Sequence, residues 1–172
     1  MLRDTLPGLQ RVAFLGSTQD SATRIFIEQL EAAARVQRLK LQLMLIGGAG
    51  EFETAADTML RERAQAVIVQ PLFTLGQSGP LAEVLARRKL PSISALRPFA
   101  IAGGLMAYGP SRADTFRRIA SFVDRVLKGA APGQSAGGRA HHLRAGVQPG
   151  HRPGVGVTVS QAMRLRADEV IE

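Results

Sequence analysis

The residues best suited to chemistry follow short apolar runs. Ser17-Thr18-Gln19-Asp20-Ser21 comes directly after the run 11–16, and Gln70-Pro71, with Phe73 close behind, comes after Ala66–Val69. A hydroxyl beside a carboxylate can activate a nucleophile or grip a polar ligand. Activation needs a base, and the chain has no His before residue 141 and no cysteine at all. Acyl transfer by a Ser–His pair or a thiolate is therefore unsupported, and no catalytic residue is assigned. Binding is the chemistry that remains. Ser17, Asp20 and Ser21 are candidate ligand contacts, with capping of the next helix as the alternative role. Gln70, Phe73, Arg97, Phe99 and Tyr108 could line an aromatic or carboxylate-binding pocket. Arg97 would make the bidentate contact, and Phe73 or Phe99 would form the apolar wall. Plain packing is the competing role for these five.

Other chemistries fare worse. His141, His142 and His151 are the only histidines, and no carboxylate or thiolate neighbours them, so no metal site is expected. Gly137-Gly138-Arg139 and Gly154-Val155-Gly156 resemble phosphate loops only in glycine content, with no preceding strand and no following Lys-Ser/Thr. Gly47-Gly48-Ala49-Gly50 does follow a strand-like run. A Rossmann-like nucleotide-binding enzyme using that loop is the alternative function, weakened by the missing ribose-binding acid and acid/base pair. No cofactor is expected.

The formal net charge is +8. Its basic residues follow helix faces, as at Arg35, Arg38, Lys40 and Arg87-Arg88-Lys89, which reads as a solvated surface. No nucleic-acid-binding motif accompanies them, aromatics make up 5%, and Trp is absent, so a nucleic-acid partner is not expected. The longest apolar runs, such as 41–46, are too short to span a bilayer. Met1-Leu2-Arg3-Asp4 does not begin a secretory signal. The chain as written is expected to stay in the cytoplasm.

The elements that must position these residues alternate. Residues 1–6 look like the tail of a helix stopped by Pro7-Gly8. Strands are expected over 11–16, 39–46, 66–69, 92–95 and 105–108, and helices over 22–38, 52–63, 80–89 and 111–127. The last helix has a cap-like start at Ser111 with Asp114 and a stop at Gly129. Its apolar stripe is Phe116, Ile119, Ala120, Val123 and Leu127. Alternation implies an α/β fold whose parallel strands are joined by right-handed crossovers. Ligands of such sheets sit beyond the carboxyl ends of the strands. The functional edge should then comprise the loops after Gly16, Ile46, Val69 and Ala95.

At Arg97-Pro98-Phe99-Ala100-Ile101-Ala102-Gly103-Gly104-Leu105-Met106-Ala107-Tyr108-Gly109 the chain resembles the ABC-transporter substrate-binding proteins of the tryptophan/tyrosine-binding type. Those proteins commonly carry an aromatic-rich turn, Gly-Gly-Leu, a short strand and Tyr-Gly. The helix over 116–130, the run 11–16, Leu90-Pro91-Ser92-Ile93 and the closing 165–172 also match, so the agreement covers about 1–131 and 157–172. The resemblance implies a three-layer α/β/α parallel-sheet lobe of a periplasmic binding protein-like I fold. It also implies a clamp that closes on a small-molecule solute, with an amino acid as a candidate class, and presents it to ABC permease subunits. Intact members are periplasmic, two-lobed and about twice as long. This chain is therefore expected to be a truncated protein: residues 1–10 an inter-lobe helix remnant, 11–110 the second, ligand-binding lobe, 111–131 a crossover helix, 132–160 irregular, and 161–172 a C-terminal tail.

The stretch near 134–156 departs from that family. It reads Ala140-His141-His142-Leu143-Arg144-Ala145-Gly146-Val147-Gln148-Pro149-Gly150-His151-Arg152-Pro153 where a strand of the type Phe-Glu-Leu-Val-Phe-Asn-Leu belongs. Codons for these residues, read one base along, can encode Thr-Thr-Phe-Glu-Leu-Val-Phe-Asn-Leu-Ala-Thr-Ala. A compensated pair of frameshifts, or of sequencing errors, is the expectation, and DNA of the locus tests it.

Overall fold

A computed structural model describes residues 2–131, 143–147 and 169–170, the last two segments as backbone strands. In chain order the elements are α1 (Leu2–Thr5), β1 (Arg11–Ser17), α2 (Thr23–Gln37), β2 (Lys40–Ile46), α3 (Phe52–Arg61), β3 (Ala66–Val69), α4 (Pro71–Thr74), α5 (Ser78–Arg87), β4 (Ser92–Ser94), α6 (Arg97–Ile101), β5 (Met106–Pro110), α7 (Arg112–Leu127), β6 (Leu143–Val147) and β7 (Glu169–Val170). A single 3-10 turn, Ala49–Glu51, leads into α3.

The strands form one sheet in the order β2-β1-β3-β4-β5-β6-β7. The first five are mutually parallel, as strand–helix alternation requires. β6 then joins β5 antiparallel, pairing Tyr108 with Ala145 and Met106 with Val147. An irregular stretch was expected over 132–160, yet the backbone of 143–147 is this strand. The proposed frame disruption and the three His otherwise lie outside the described residues.

β1 lies inside the sheet and is buried from Val12 to Ser17, whereas β2 at the edge is exposed or half-buried from Lys40 to Leu45 and buried only at Ile46. Successive side chains of a strand face opposite ways. Ala13, Leu15, Val67 and Val69 point to one face, where Phe52, Met59, Leu81, Leu85 and Phe99 from α3, α5 and α6 complete the main core. Val12, Ala66 and Ile68 point to the other, with Leu9, Leu2, Leu6 and Leu41. There Phe14 stacks on Phe26 of α2 with ring centroids 6.3 Å apart.

Helix ends follow local chemistry. Ser111 caps α7, its hydroxyl accepting from the Asp114 N–H at 3.3 Å. α2 closes on Arg38 in the left-handed region (φ 52), its N–H reaching the carbonyls of Ala34 and Arg35. The α7 stripe buries nothing among the described residues: Phe116, Ile119, Val123 and Leu127 are 60%, 51%, 48% and 81% exposed.

Candidate functional site

In the order β2-β1-β3, chain connections leave β1 in opposite directions, which opens a crevice at the carboxyl ends of β1 and β3. Ser17 ends β1 and Gln70 follows β3, so the two residues meet there. Gln70 is 1% exposed, and its side chain ties the crevice together. Its Oε1 accepts from the Ser17 N–H at 2.7 Å, and its Nε2 donates to Asp20 Oδ2 at 2.6 Å. Asp20 Oδ1 accepts from the Ala22 N–H at 2.9 Å, which shapes the turn into α2. The Thr23 hydroxyl lies 2.7 Å from the Ser17 carbonyl and 3.0 Å from Gln70 Oε1. With one proton to give, it serves one acceptor at a time. Ser17 Oγ accepts from the Gln19 N–H at 3.0 Å.

The sequence reading brings Ser17, Asp20, Ser21 and Gln70 to one place, and the structure agrees. It divides their roles, however. Ser17 is 2% exposed, and its hydrogen bonds run to Gln70 and within the loop it supports. Gln70 supports the same loop. Asp20 is half-buried, while Thr18, Gln19 and Ser21 are exposed along the rim. Thr23 was missed: a Thr opening a helix reads as ordinary helix sequence, and only the fold brings Gln70 to it.

The remaining candidates separate. Arg97 begins α6 beyond β4 and is exposed at the same edge. Phe73 and Phe99 are corrections. Phe73 is 6% exposed and meets Phe52 edge-on, centroids 5.6 Å apart and planes at 88°. Phe99 is fully buried against Gly104 in the same core. Their rings hold α4 and α6 to the sheet and form no solvent-facing wall. Tyr108, 41% exposed, lies in a groove of about 450 Å³ on the opposite face. Phe14, Phe26, Leu30, Ile68 and Ile93 line most of it, and Gln70 and Ser94 close its upper end.

The Gly47 loop offers little to a phosphate. The Gly47 N–H donates to the Glu51 carboxylate at 2.8 Å, which puts a negative charge where an anion would bind. Among the described residues, no group of three or more His, Asp or Glu could hold a metal ion. Farther off, the Arg88 guanidinium spans Asp57 and Glu53 between α5 and α3. Its hydrogen bonds hold the Asp57 carboxyl below the ordinary carboxylate range.

A largely parallel sheet whose switch point carries a braced polar loop is the arrangement at which α/β domains hold small ligands. The comparisons narrow that class. A family model described as "ABC transporter substrate binding protein" matches residues 1–171, and the chain belongs to this family. Among curated proteins none matches the sequence. Solved structures share the fold. A conserved domain protein from Vibrio cholerae O1 biovar El Tor superposes with a TM-score of 0.83 at 16% identity, covering 98% of this chain and 57% of that one. An ABC domain in complex with L-Trp from Streptococcus pneumonia also gives 0.83, at 17% identity, covering 99% and 59%. A ligand-free, open substrate-binding protein with adhesive properties from Clostridium difficile gives 0.73 at 13%, covering 93% and 54%. The chain thus spans little more than half the length of these structures.

Proposed function

We propose that the chain is one lobe of a two-lobed solute clamp, a truncated substrate-binding component of an ABC importer that captures a small solute for delivery to a permease. The braced loop 17–23 at the crevice of β1 and β3 carries this reading. Gln70, Ser17 and Thr23 lock the loop, while Asp20, Ser21 and Arg97 present charge and hydroxyls at its rim. A carboxylate and a guanidinium at one edge suit a zwitterion, so the solute class is an amino acid. The L-Trp carried by one structural neighbour supports that class. The intact protein would act in the periplasm. Among the described residues, no helix is long and apolar enough to cross a membrane.

One wall buries only part of a solute, whereas a closed cleft buries most of it. The chain alone should therefore bind amino acids weakly, and a chain extended to the length of its structural neighbours should bind one tightly. Isothermal titration across an amino-acid panel, run on both, measures the difference. Tight binding by the 172-residue chain alone would remove the need for a second lobe. Thermal stabilisation by a dinucleotide and by no amino acid would move the assignment to the Gly47 loop.

A further inference from the structure

Three helices hand over to three strands through the same turn. α2, α3 and α5 are each followed by a residue of positive φ: Arg38 at 52°, Arg63 at 66° and Lys89 at 54°. In each turn that residue's N–H reaches the carbonyl three residues back, and the next N–H reaches the carbonyl five back. The next residue, Leu39, Ala64 or Leu90, is half-buried or buried, while Arg38, Arg63 and Lys89 are exposed. Glycine takes this backbone without steric cost, whereas a Cβ is strained there. A basic residue stands in that place all three times. Helix dipoles draw cations to the last turn, where Arg35 and Arg61 lie, and that pull fades beyond it.

The three turns lie at the amino ends of the parallel strands, opposite the crevice at their carboxyl ends. The strands start level, with Lys40 beside Arg11, Ala66 beside Val12 and Ser92 beside Val67, so this end of the sheet is flat. From β2 to β4 it spans about 14 Å at the usual strand spacing. The stretches 35–40, 61–66 and 87–92 hold eight basic residues and one acid, Glu62. Arg87 and Arg88 are paired with Glu53 and Asp57. The other six, Arg35, Arg38, Lys40, Arg61, Arg63 and Lys89, are exposed. We propose that this flat basic end docks on the anionic lipid headgroups of a membrane. A level array of cations suits a plane of phosphates. The three stretches contain no aromatic residue to stack on bases, which disfavours nucleic acid. A transporter's binding protein also works beside a membrane. The inference uses the family and the basic end, and does not depend on which solute is bound.

The whole chain should sediment with vesicles of equal parts phosphatidylcholine and phosphatidylglycerol, and not with phosphatidylcholine alone. Molar salt should release it, because surface charges are then screened. Each basic residue near an anionic surface strengthens binding about fivefold, so the triple variant Arg38→Gly, Arg63→Gly, Lys89→Gly should bind about 100-fold more weakly. Its circular dichroism should be unchanged, since Gly suits all three turns. The variant Arg24→Gln, Arg112→Gln, Arg117→Gln removes the same charge near helix starts, at the opposite end, and should bind like the parent. An equal loss in the two variants would reduce the effect to net charge and overturn the proposal. Failure to bind the anionic vesicles, or equal binding to phosphatidylcholine alone, would overturn it as well. Duplex DNA held more tightly than those vesicles, and released by the Gly variant, would make this end a nucleic-acid surface and overturn the lipid assignment.

Discussion

The two faces of one sheet differ sharply. On the first, α3, α5 and α6 build a core from Phe52, Met59, Leu81, Leu85 and Phe99. On the second, α2 meets β1 and β2 and leaves a groove over Ile68, Ile93 and Tyr108. Both faces are lined by apolar side chains at strand spacing, so local sequence does not tell covered from open. Topology does. With right-handed crossovers, the connection from β1 outward to β2 lands on one side. The connections from β2 back to β3, then to β4 and β5, land on the other. Of the helices that link the parallel strands, α2 alone therefore serves a face whose opposite receives α3, α4, α5 and α6, and the difference is a matter of strand order.

Substitutions can break or sharpen this contrast. The largest effect is expected on the packed face. Phe99→Ala should cost about 3–5 kcal/mol in urea unfolding, because the surrounding core cannot collapse into the space. Ile93→Ala on the open face should cost no more than about 1 kcal/mol, since its site already meets solvent. Equal losses would mean that the groove is covered in solution. Next comes Gly109→Ala. A Cβ there would collide with the Ala95 carbonyl and push β5 from β4 at the border of the two faces. A loss of about 1–3 kcal/mol is expected from such overpacking, read as a lower melting midpoint.

The crevice gives the third test. Gln70→Ala strips the Ser17 N–H of its acceptor in a buried site, with an expected loss of about 1–3 kcal/mol. Proteolysis should then begin in 17–23, the loop that Gln70 braces. Cleavage that begins elsewhere would show that the brace is dispensable.

The smallest effect belongs to the exposed clamp between α3 and α5. Asp57 has a lowered pKa in the folded chain, so its pairing with Arg88 contributes at pH values above the ordinary carboxylate range. That contribution is lost as pH falls through the lowered folded value. Asp57→Asn should melt slightly below the parent at neutral pH and level with it in strong acid. The gap should also narrow with salt, because both partners face water. A gap that persists in acid would implicate packing instead.

Much of the fold was legible because its signals are local. Apolar runs ending in Gly, Ser or Pro marked β1 to β5 within a residue or two, and Ser111 with Asp114 marked the start of α7. The rim residues were legible too, since polar loops after strands of a parallel sheet must lie at one edge. Phe73 and Phe99 were misread because an aromatic in a turn looks alike whether it faces a ligand or the core. Thr23 was missed because its partner, Gln70, is 47 residues away in sequence. The α7 stripe was legible as the apolar side of a helix, but periodicity does not say what surface awaits it.

By itself the amino-acid order determined the alternation of strand and helix, the parallel sense of the first five strands and the polar edge at their carboxyl ends. Those follow from side-chain period, turn chemistry and chirality, which act over a few residues. Tertiary structure alone decided that Gln70 braces the loop 17–23, that Phe99 is core, and that one face is open among the described residues. Each of those depends on which distant segments come together, and that is settled by strand order and by how the chain crosses over the sheet.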